Sequence, residues 1–447
     1  MLIKRVKIDG YKNVYNVNLE LGNIIALVAL NNYGKSNVLD GIRYANQFIK
    51  STPDVKDSMM NYIHAIPINN ITAKNNFIFE IEYYTESNGK NLMVDYSIEF
   101  NWPKNSDEHE DTIIEQNSSK IVKEVLRVKE DKKGQKYNIY INRSMDKNLY
   151  KSADTGRCDK NIQIEENNLI LNKLNNYDDL YYIDIIRELN NLNFDVNSFL
   201  DTTDAFNISP IRFKNNNKYK LMKDGSNIEE IIYNLKHEDE QSYEYLKNCF
   251  IDLFPDIESM EPLMKSIKIE SDNEINIPSD APFMIMDNIY RIKVKEKNNN
   301  QYINFEMLSN GTKRVFLLLT SIILASKNNT PLIAFEELEN CIHPALFKSL
   351  IDTIKNIVEE KKCRIILSSH SPILVNLINL ENLYIGLPNE DGVAKFSRIK
   401  KSKTKTIENN SNERNIQKGN YIFELLSNQY IFGEDDICGI SSMIEME

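Results

Sequence analysis

Ile24-Ile25-Ala26-Leu27-Val28-Ala29-Leu30-Asn31-Asn32-Tyr33-Gly34-Lys35-Ser36-Asn37 places a continuous apolar run, a turn containing one glycine and a Lys-Ser pair in immediate succession. A short run of this kind reads as a strand buried on both faces. Beyond it Val38, Ile42, Ala45 and Ile49 recur at helical spacing. Strand, glycine turn, helix is the setting that a phosphate-binding loop of the form GxxxxGK[ST] requires. Backbone N–H groups of such a loop surround phosphate oxygens, the lysine neutralises them, and the hydroxyl ligates a divalent cation. Gly34, Lys35 and Ser36 fit that pattern, but Ala29 stands where its first glycine belongs. Alanine is acceptable there if the position needs no positive φ. Two readings stand at this point: a phosphate loop, or a Gly-Lys-Ser that merely opens a helix.

Three further segments bear on the choice. Leu308-Ser309-Asn310-Gly311 lies just before the long apolar helix expected over 313–326, so Ser309 and the amides near Gly311 face a helix N-terminus, which favours anions and equally suits a simple N-cap. Glu336 and Glu337 end the buried strand expected over 331–335. Paired carboxylates there are costly unless solvated or bound to a cation; one can reach magnesium while the other polarises water. The same pair also reads as the start of a loop. His370 follows a second buried strand, 364–367, and a neutral imidazole there can donate to a phosphate oxygen. His64, His109, His237 and His343 lack comparable context and read as structural.

The rest of the chain is consistent with one large α/β protein. At 447 residues it can bury a full core. A mean hydropathy of -0.45, no basic-then-apolar start, and no apolar run near the roughly 20 residues needed to cross a bilayer point to a cytoplasmic protein without a membrane span. Five scattered cysteines with no CxxC pair suggest neither disulfides nor a zinc site. A net charge of -11 argues against coating nucleic acid with the whole surface. Alternation at Phe77, Phe79, Ile81 and Tyr83 and at Val94, Tyr96, Ile98 and Phe100, across Asn88-Gly89, predicts a β-hairpin. A second hairpin is expected from Val125 to Ile141 through Lys133-Gly134, and Ser226 with Glu229 reads as a capping box. Residues 1–50 are expected to hold the first half of the nucleotide domain and 51–205 an inserted accessory region. A connection over 206–300 would lead back to the second half at 301–390, followed by a tail at 391–447. In that tail Arg398 to Lys405 and Asn409 to Asn412 read as a loose polar stretch. Tyr421, Ile422, Leu425 and Leu426 then read as a short amphipathic helix that either packs on its own lobe or, the reading favoured here, docks a partner.

Taken together these segments resemble the ABC-type ATPases of the RecF/SMC branch, in particular compact bacterial ATPases of antiphage systems of the OLD, Septu and PARIS type. The resemblance rests on residues 31–37 as Walker A, 308–311 as the ABC signature, 333–337 as Walker B, 339–344 as the following D-loop and 369–372 as the His switch. Ile208 to Arg212 and Asp224 to Asn227 also match stretches of these small ATPases. It implies an α/β, P-loop ABC-type ATPase head with mixed parallel and antiparallel sheets, an inserted α+β and helical region, and no long coiled coil. It implies ATP and Mg2+ as cofactors, held by Asn31, Asn32, Tyr33, Gly34, Lys35, Ser36 and Asn37, with Ser309, Asn310 and Gly311 acting across a homodimer or higher homo-oligomer. Ser36 and Glu336 would take the metal, Glu337 would be the catalytic base, and His370 would contact the γ-phosphate. No TOPRIM-like acidic set follows His370, so an effector nuclease or toxin would be a separate protein. The alternatives are a catalytically quiet ATP-binding scaffold that restrains an effector, and a RecF-like DNA-repair ATPase with DNA as a partner.

Overall fold

The strand Ile24–Val28, every residue of it buried, sits inside a six-stranded sheet. Its order is Phe194–Asn197, Leu332–Glu336, Arg364–Ser369, Ile24–Val28, Leu383–Gly386 and Phe396–Arg398. All pairs are parallel except the last. Parallel strands need cover on both faces, which is why these segments read as unbroken apolar runs. The computed structural model describes residues 1–103, 119–197, 205–206, 211–213, 218–222, 225–266, 278, 281, 283–340, 342–361, 363–387, 392–432 and 439–445.

The chain divides into two units. The first comprises Met1–Ser198, Thr330–Glu337 and Lys362–Glu447. Beside the parallel sheet it holds an eight-stranded antiparallel sheet that begins with Val17–Glu20 and Leu2–Asp9 and continues through Phe77–Ser87, Lys90–Phe100 and Ile121–Glu130. The strands expected as an accessory insertion thus hydrogen-bond onto Leu2–Asp9 and extend the sheet it begins. The hairpin registers Phe79 with Ile98 and Ile81 with Tyr96, and Asn88 and Gly89 are both left-handed, at φ 52° and 68°, as a two-residue turn between strands demands. The second hairpin also forms, pairing Leu126 with Ile141. The helix Lys35–Lys50 puts Val38, Leu39, Ile42, Ala45, Phe48 and Ile49 into a core shared by both sheets, with Ile8, Phe77 and Phe100 from one and Leu27, Leu332 and Ile366 from the other. Burying one such aliphatic or aromatic side chain is worth about 1.5–3 kcal/mol.

The second unit comprises Phe199–Asn329 and Leu338–Lys361. It holds the helices Ile228–Glu238, Glu240–Leu253, Asn310–Lys327 and Pro344–Lys361 and the antiparallel strands Ile257–Ser266, Asn288–Glu296 and Ile303–Asn304. Its core centres on the rings of Phe206, Phe250, Phe305 and Phe316. The capping box expected at Ser226 and Glu229 does not form. Asn227 occupies the cap position without a capping bond, and the buried Glu229 carboxylate accepts the Ile292 N–H at 3.0 Å and pairs with Arg291. A nearby strand amide and a guanidinium outbid the local cap because they satisfy both oxygens of a carboxylate that burial would otherwise penalise. The helices Asn310–Lys327 and Pro344–Lys361, expected within one second half at 301–390, both lie in this unit.

The tail also departs from expectation. Its polar stretch forms a helix, Thr404–Glu413, with Ile407 and Ser411 buried one turn apart, and the helix Lys418–Phe432 packs on it and on Pro372–Leu377. Tyr421, Ile422 and Leu426 are buried by the chain itself, so this apolar face is not open to a partner. The Gly419 N–H donates to Asn376 Oδ1 at 2.8 Å, and Lys418 Nζ to the Ile378 carbonyl at 3.0 Å. Among the described residues no helix is long and apolar enough to cross a membrane, and none forms a long coiled coil. Residues 208–210, 224 and 341 and the stretches 104–118 and 267–277 lie outside the described residues, and with them the parts of the resemblance placed on Ile208-Ser209-Pro210, Asp224 and Cys341.

Candidate nucleotide site

After Val28 the chain leaves the sheet through Ala29, which is buried and absent from the left-handed residues, whereas Asn32 and Gly34 stand at φ 68° and 80°. The loop therefore needs positive φ late and not at its first position, which explains how Ala29 replaces glycine. Gly34 is fixed by a second constraint: a Cβ there would lie 2.5 Å from Ala394 Cβ and 3.0 Å from Asn13 Oδ1. Lys35 opens the helix and is 8 % exposed. Its ammonium donates back across the loop to the carbonyls of Ala29 at 2.9 Å and Leu30 at 3.0 Å. Ser36 is exposed at the helix start, Asn31 and Asn32 are exposed at the loop, and Tyr33 packs on the core. Asn37 points its amide to Asn13 Oδ1 at 2.7 Å, so it braces the loop from behind.

The acidic strand end lies beside this loop. Glu336 ends Leu332–Glu336 and hydrogen-bonds with the Ser36 side chain. Burial pushes its carboxyl up from the usual carboxylate range; the Ser36 bond opposes this, the charges of Asp40 and Glu337 add to it, and Arg43 offsets part. Asp40 itself pairs with Lys12 at 3.2 Å and with Arg43. Glu337 turns the chain out of the strand at φ 47°, with its N–H donating to the Ser368 carbonyl at 2.9 Å. A non-glycine residue held there costs of order 1 kcal/mol or more, and such positions concentrate at functional sites. His370 follows Arg364–Ser369, and its Nδ1 lies 3.6 Å from Glu337 Oε1, beyond hydrogen-bond length. Ser369 Oγ accepts the Ser371 N–H at 2.9 Å and holds the turn after the histidine.

Lys35, Ser36, Glu336, Glu337 and His370 thus come together in the first unit. Ser309, Asn310 and Gly311 fall in the second. There Ser309 caps the helix Asn310–Lys327, its Oγ accepting the Thr312 N–H at 3.1 Å while remaining exposed. Asp40, Arg43, Lys12 and Asn13 were missed from sequence. Asp40 and Arg43 carry a signal in hindsight, because a carboxylate four residues beyond Ser36 shares its helix face; Lys12 and Asn13 carry none.

No group of three or more His, Cys, Asp or Glu side chains among the described residues is placed to hold a metal ion. A cation beside Ser36 and Glu336 would need oxygen donors from outside the protein. Magnesium fits, since it keeps several waters and is bound through one or two side chains plus phosphate oxygens, and its charge would offset the burial of Glu336.

A parallel sheet whose central strand feeds a glycine turn and a helix, flanked by an antiparallel sheet, is the architecture of an α/β ATPase head. The chain belongs to the AAA ATPase domain family, whose model matches residues 1–375. Membership supports ATP binding and hydrolysis as its chemistry. Among solved structures the chain is similar to an SMC head bound to the C-terminal winged-helix domain of ScpA, with 14% identity, 91% of this chain and 100% of that one covered, and a TM-score of 0.46. It is also similar to the SMC head domain from Thermotoga maritima, with 12% identity, coverage of 90% and 100%, and a TM-score of 0.41. A third is an Smc head with an extended coiled coil bound to the C-terminal domain of ScpA derived from Pyrococcus furiosus, with 12% identity, coverage of 92% and 99%, and a TM-score of 0.42. Among curated proteins none matches.

Proposed function

We propose that the chain is an ABC-type ATPase that binds Mg2+ and ATP at the loop 29–37 and hydrolyses ATP slowly between two copies of itself. One observation carries the reading: an ammonium held against the loop carbonyls, a serine hydroxyl and the carboxylate that bonds it converge at the start of one helix. Lys35 exchanges its two carbonyl partners for phosphate oxygens. Ser36 and Glu336 would hold the cation, which would supply charge neutralisation of the phosphates. Glu337, half-buried and adjacent, accepts a proton from the attacking water, and His370 donates to the terminal phosphate. Ser309, Asn310 and Gly311 of a second copy cap the same triphosphate through a helix N-terminus. In this role the protein is the sensing subunit of a bacterial antiphage system with a separate nuclease or toxin as effector.

Two variants test the chemistry. Lys35→Ala should lower ATP affinity at least a hundredfold, as expected for loss of a desolvated charge partner. Glu337→Gln should retain ATP and lose hydrolysis by about 10²–10⁴-fold, accumulating a dimer in size-exclusion chromatography. Unchanged affinity in folded Lys35→Ala would remove the loop assignment. A wild type that binds ATP but turns none over would favour the quiet scaffold, for which Glu336 in place of the customary aspartate speaks. DNA-stimulated turnover with a steep salt slope would favour the repair reading. Loss of phage protection in Lys35→Ala cells, with the neighbouring genes intact, tests the antiphage role.

A further inference from the structure

The turn that follows Leu2–Asp9 lies against the phosphate loop and is itself held from several sides. The Gly10 N–H donates to the Val14 carbonyl at 3.1 Å and the Lys12 N–H to the Ala65 carbonyl at 3.0 Å, while the Lys12 carbonyl accepts the Thr72 hydroxyl at 3.1 Å. Lys12 stands at φ 50° within it, a conformation that persists where the surroundings over-determine it. From another side the Asn13 carbonyl accepts the Ala394 N–H at 2.7 Å, and the Tyr15 N–H donates to the Ala394 carbonyl at 3.1 Å. The backbone of Asn13 is therefore fixed on both flanks.

Its side chain joins segments from distant parts of the chain. Nδ2 donates to the Gly392 carbonyl at 3.2 Å, and Oδ1 accepts the Asn37 amide at 2.7 Å. These bonds select one orientation: a backbone carbonyl only accepts, so Nδ2 must face Gly392 and Oδ1 is left for Asn37. The same amide closes over Gly34, where an added Cβ would stand 3.0 Å from Oδ1 and 3.3 Å from Nδ2. Gly34 and Asn37 bracket Lys35 and Ser36. The backbone amides of that turn are the groups a phosphate would meet at the helix start, and the Val38 N–H already bonds to the Gly34 carbonyl at 3.0 Å. A side chain that touches both ends of the bracket sets the angle at which Lys35 and Ser36 leave the loop, and binding groups must be held within about 0.5 Å to be effective.

We propose that Asn13 is a positioning residue for ATP, acting through Gly34 and Asn37 without touching phosphate; this rests on the phosphate-loop reading above. The test is ATP affinity by calorimetry, with steady-state turnover, for wild type, Asn13→Ala, Asn37→Ala, the double variant and Lys35→Ala. Asn13→Ala should weaken ATP about tenfold, as expected for loss of its hydrogen bonds. KM should rise by the same factor with kcat within about twofold, the pattern of a lost binding contribution. Asn37→Ala should behave alike, and the double variant should lie within about threefold of the weaker single, because both changes break one linkage. A merely structural Asn13 would lower the denaturant midpoint and leave the ATP affinity of the folded protein unchanged. Asn13→Ser, too short to span both partners, runs the same cycle should Asn13→Ala not fold. The proposal is overturned by wild-type affinity in the folded Asn13 variant, or by losses that multiply to about a hundredfold in the double variant, since the two side chains would then act separately. Wild-type affinity in Lys35→Ala would remove the phosphate-loop reading and this proposal together, whereas lost affinity in Lys35→Ala beside unchanged affinity in the Asn13 variant removes this proposal alone.

Discussion

At the scale of single residues, Gly34 and Lys56 show different costs of a constrained position. Gly34 needs both its left-handed φ and the absent Cβ that lets Ala394 approach. Gly34→Ala should therefore destabilise the chain by about 1–2 kcal/mol for the backbone conformation plus about 1–3 kcal/mol for the overlap. Ala394→Gly in the same chain should restore the second share and not the first. Denaturant midpoints of the two single variants and the double variant separate the shares, and a double variant no more stable than Gly34→Ala would remove Ala394 from the account. Lys56 is fully buried, bonded to the Ser51 carbonyl and to Asn172, and burial pushes its ammonium down to about 8 from 10.5. Between those two values the unfolded chain keeps a proton that the folded chain has lost, so this residue's contribution to stability rises with pH across that window and is flat below it. Lys56→Met should abolish that rise, read as the pH dependence of the difference between wild-type and variant midpoints from pH 7.5 to 9.5; a constant difference would place the folded-state titration elsewhere. Neither Ala394 beside Gly34 nor Asn172 beside Lys56 could be read from sequence, because each contact joins segments more than a hundred residues apart.

At the scale of elements, the C-terminal helix Lys418–Phe432 matters through one close approach. A Cβ on Gly419 would sit 2.1 Å from the Pro372 carbonyl oxygen, two residues beyond His370. Gly419→Val should thus push the helix off Pro372–Leu377, destabilise the first unit by about 1–3 kcal/mol, and lower ATP turnover while leaving ATP affinity within about twofold. Equal turnover in a folded Gly419→Val would show that the turn after His370 is set by Ser369 and Ser371 alone. Which elements were legible follows from their surroundings. Ile24–Val28, Leu332–Glu336 and Arg364–Ser369 were readable because double-sided burial leaves an unbroken apolar run, and the hairpin at Asn88-Gly89 because alternation and turn chemistry agree. The Ser226–Glu229 box failed because a partner from another strand competed for the same carboxylate. Thr404–Glu413 escaped notice because an Asn-rich helix hides only Ile407 and Ser411, too few positions to set a period. At the candidate site the loop and the acidic strand end were visible as residue patterns, while the Ser36–Glu336 bond depends on how strands from opposite ends of the chain align.

At the scale of the whole molecule, the order of strands in the parallel sheet differs sharply from their order in the chain. Ile24–Val28 is flanked by Arg364–Ser369 on one side and Leu383–Gly386 on the other, and the two-unit division cuts the second half of the sequence more than once. No pattern within a window of twenty residues encodes such a pairing, which is why the sheet's composition could be anticipated and its neighbours could not. The same arrangement bears on biosynthesis. Ile365, the first partner of Ile24, emerges about 340 residues after it, which at roughly 5–20 residues per second is an interval of about 17–70 s. Throughout that time an apolar strand and its glycine turn leave the ribosome without the sheet that closes over them. Chains arrested on ribosomes at residue 350 should therefore pass through ATP-agarose unretained and be cleaved readily near the loop. Chains extended far enough to expose residue 400 should be retained and protected. Retention of the shorter chains would mean that the loop forms without its sheet; otherwise this protein spends most of its synthesis dependent on whatever shields an unpaired strand in the cell.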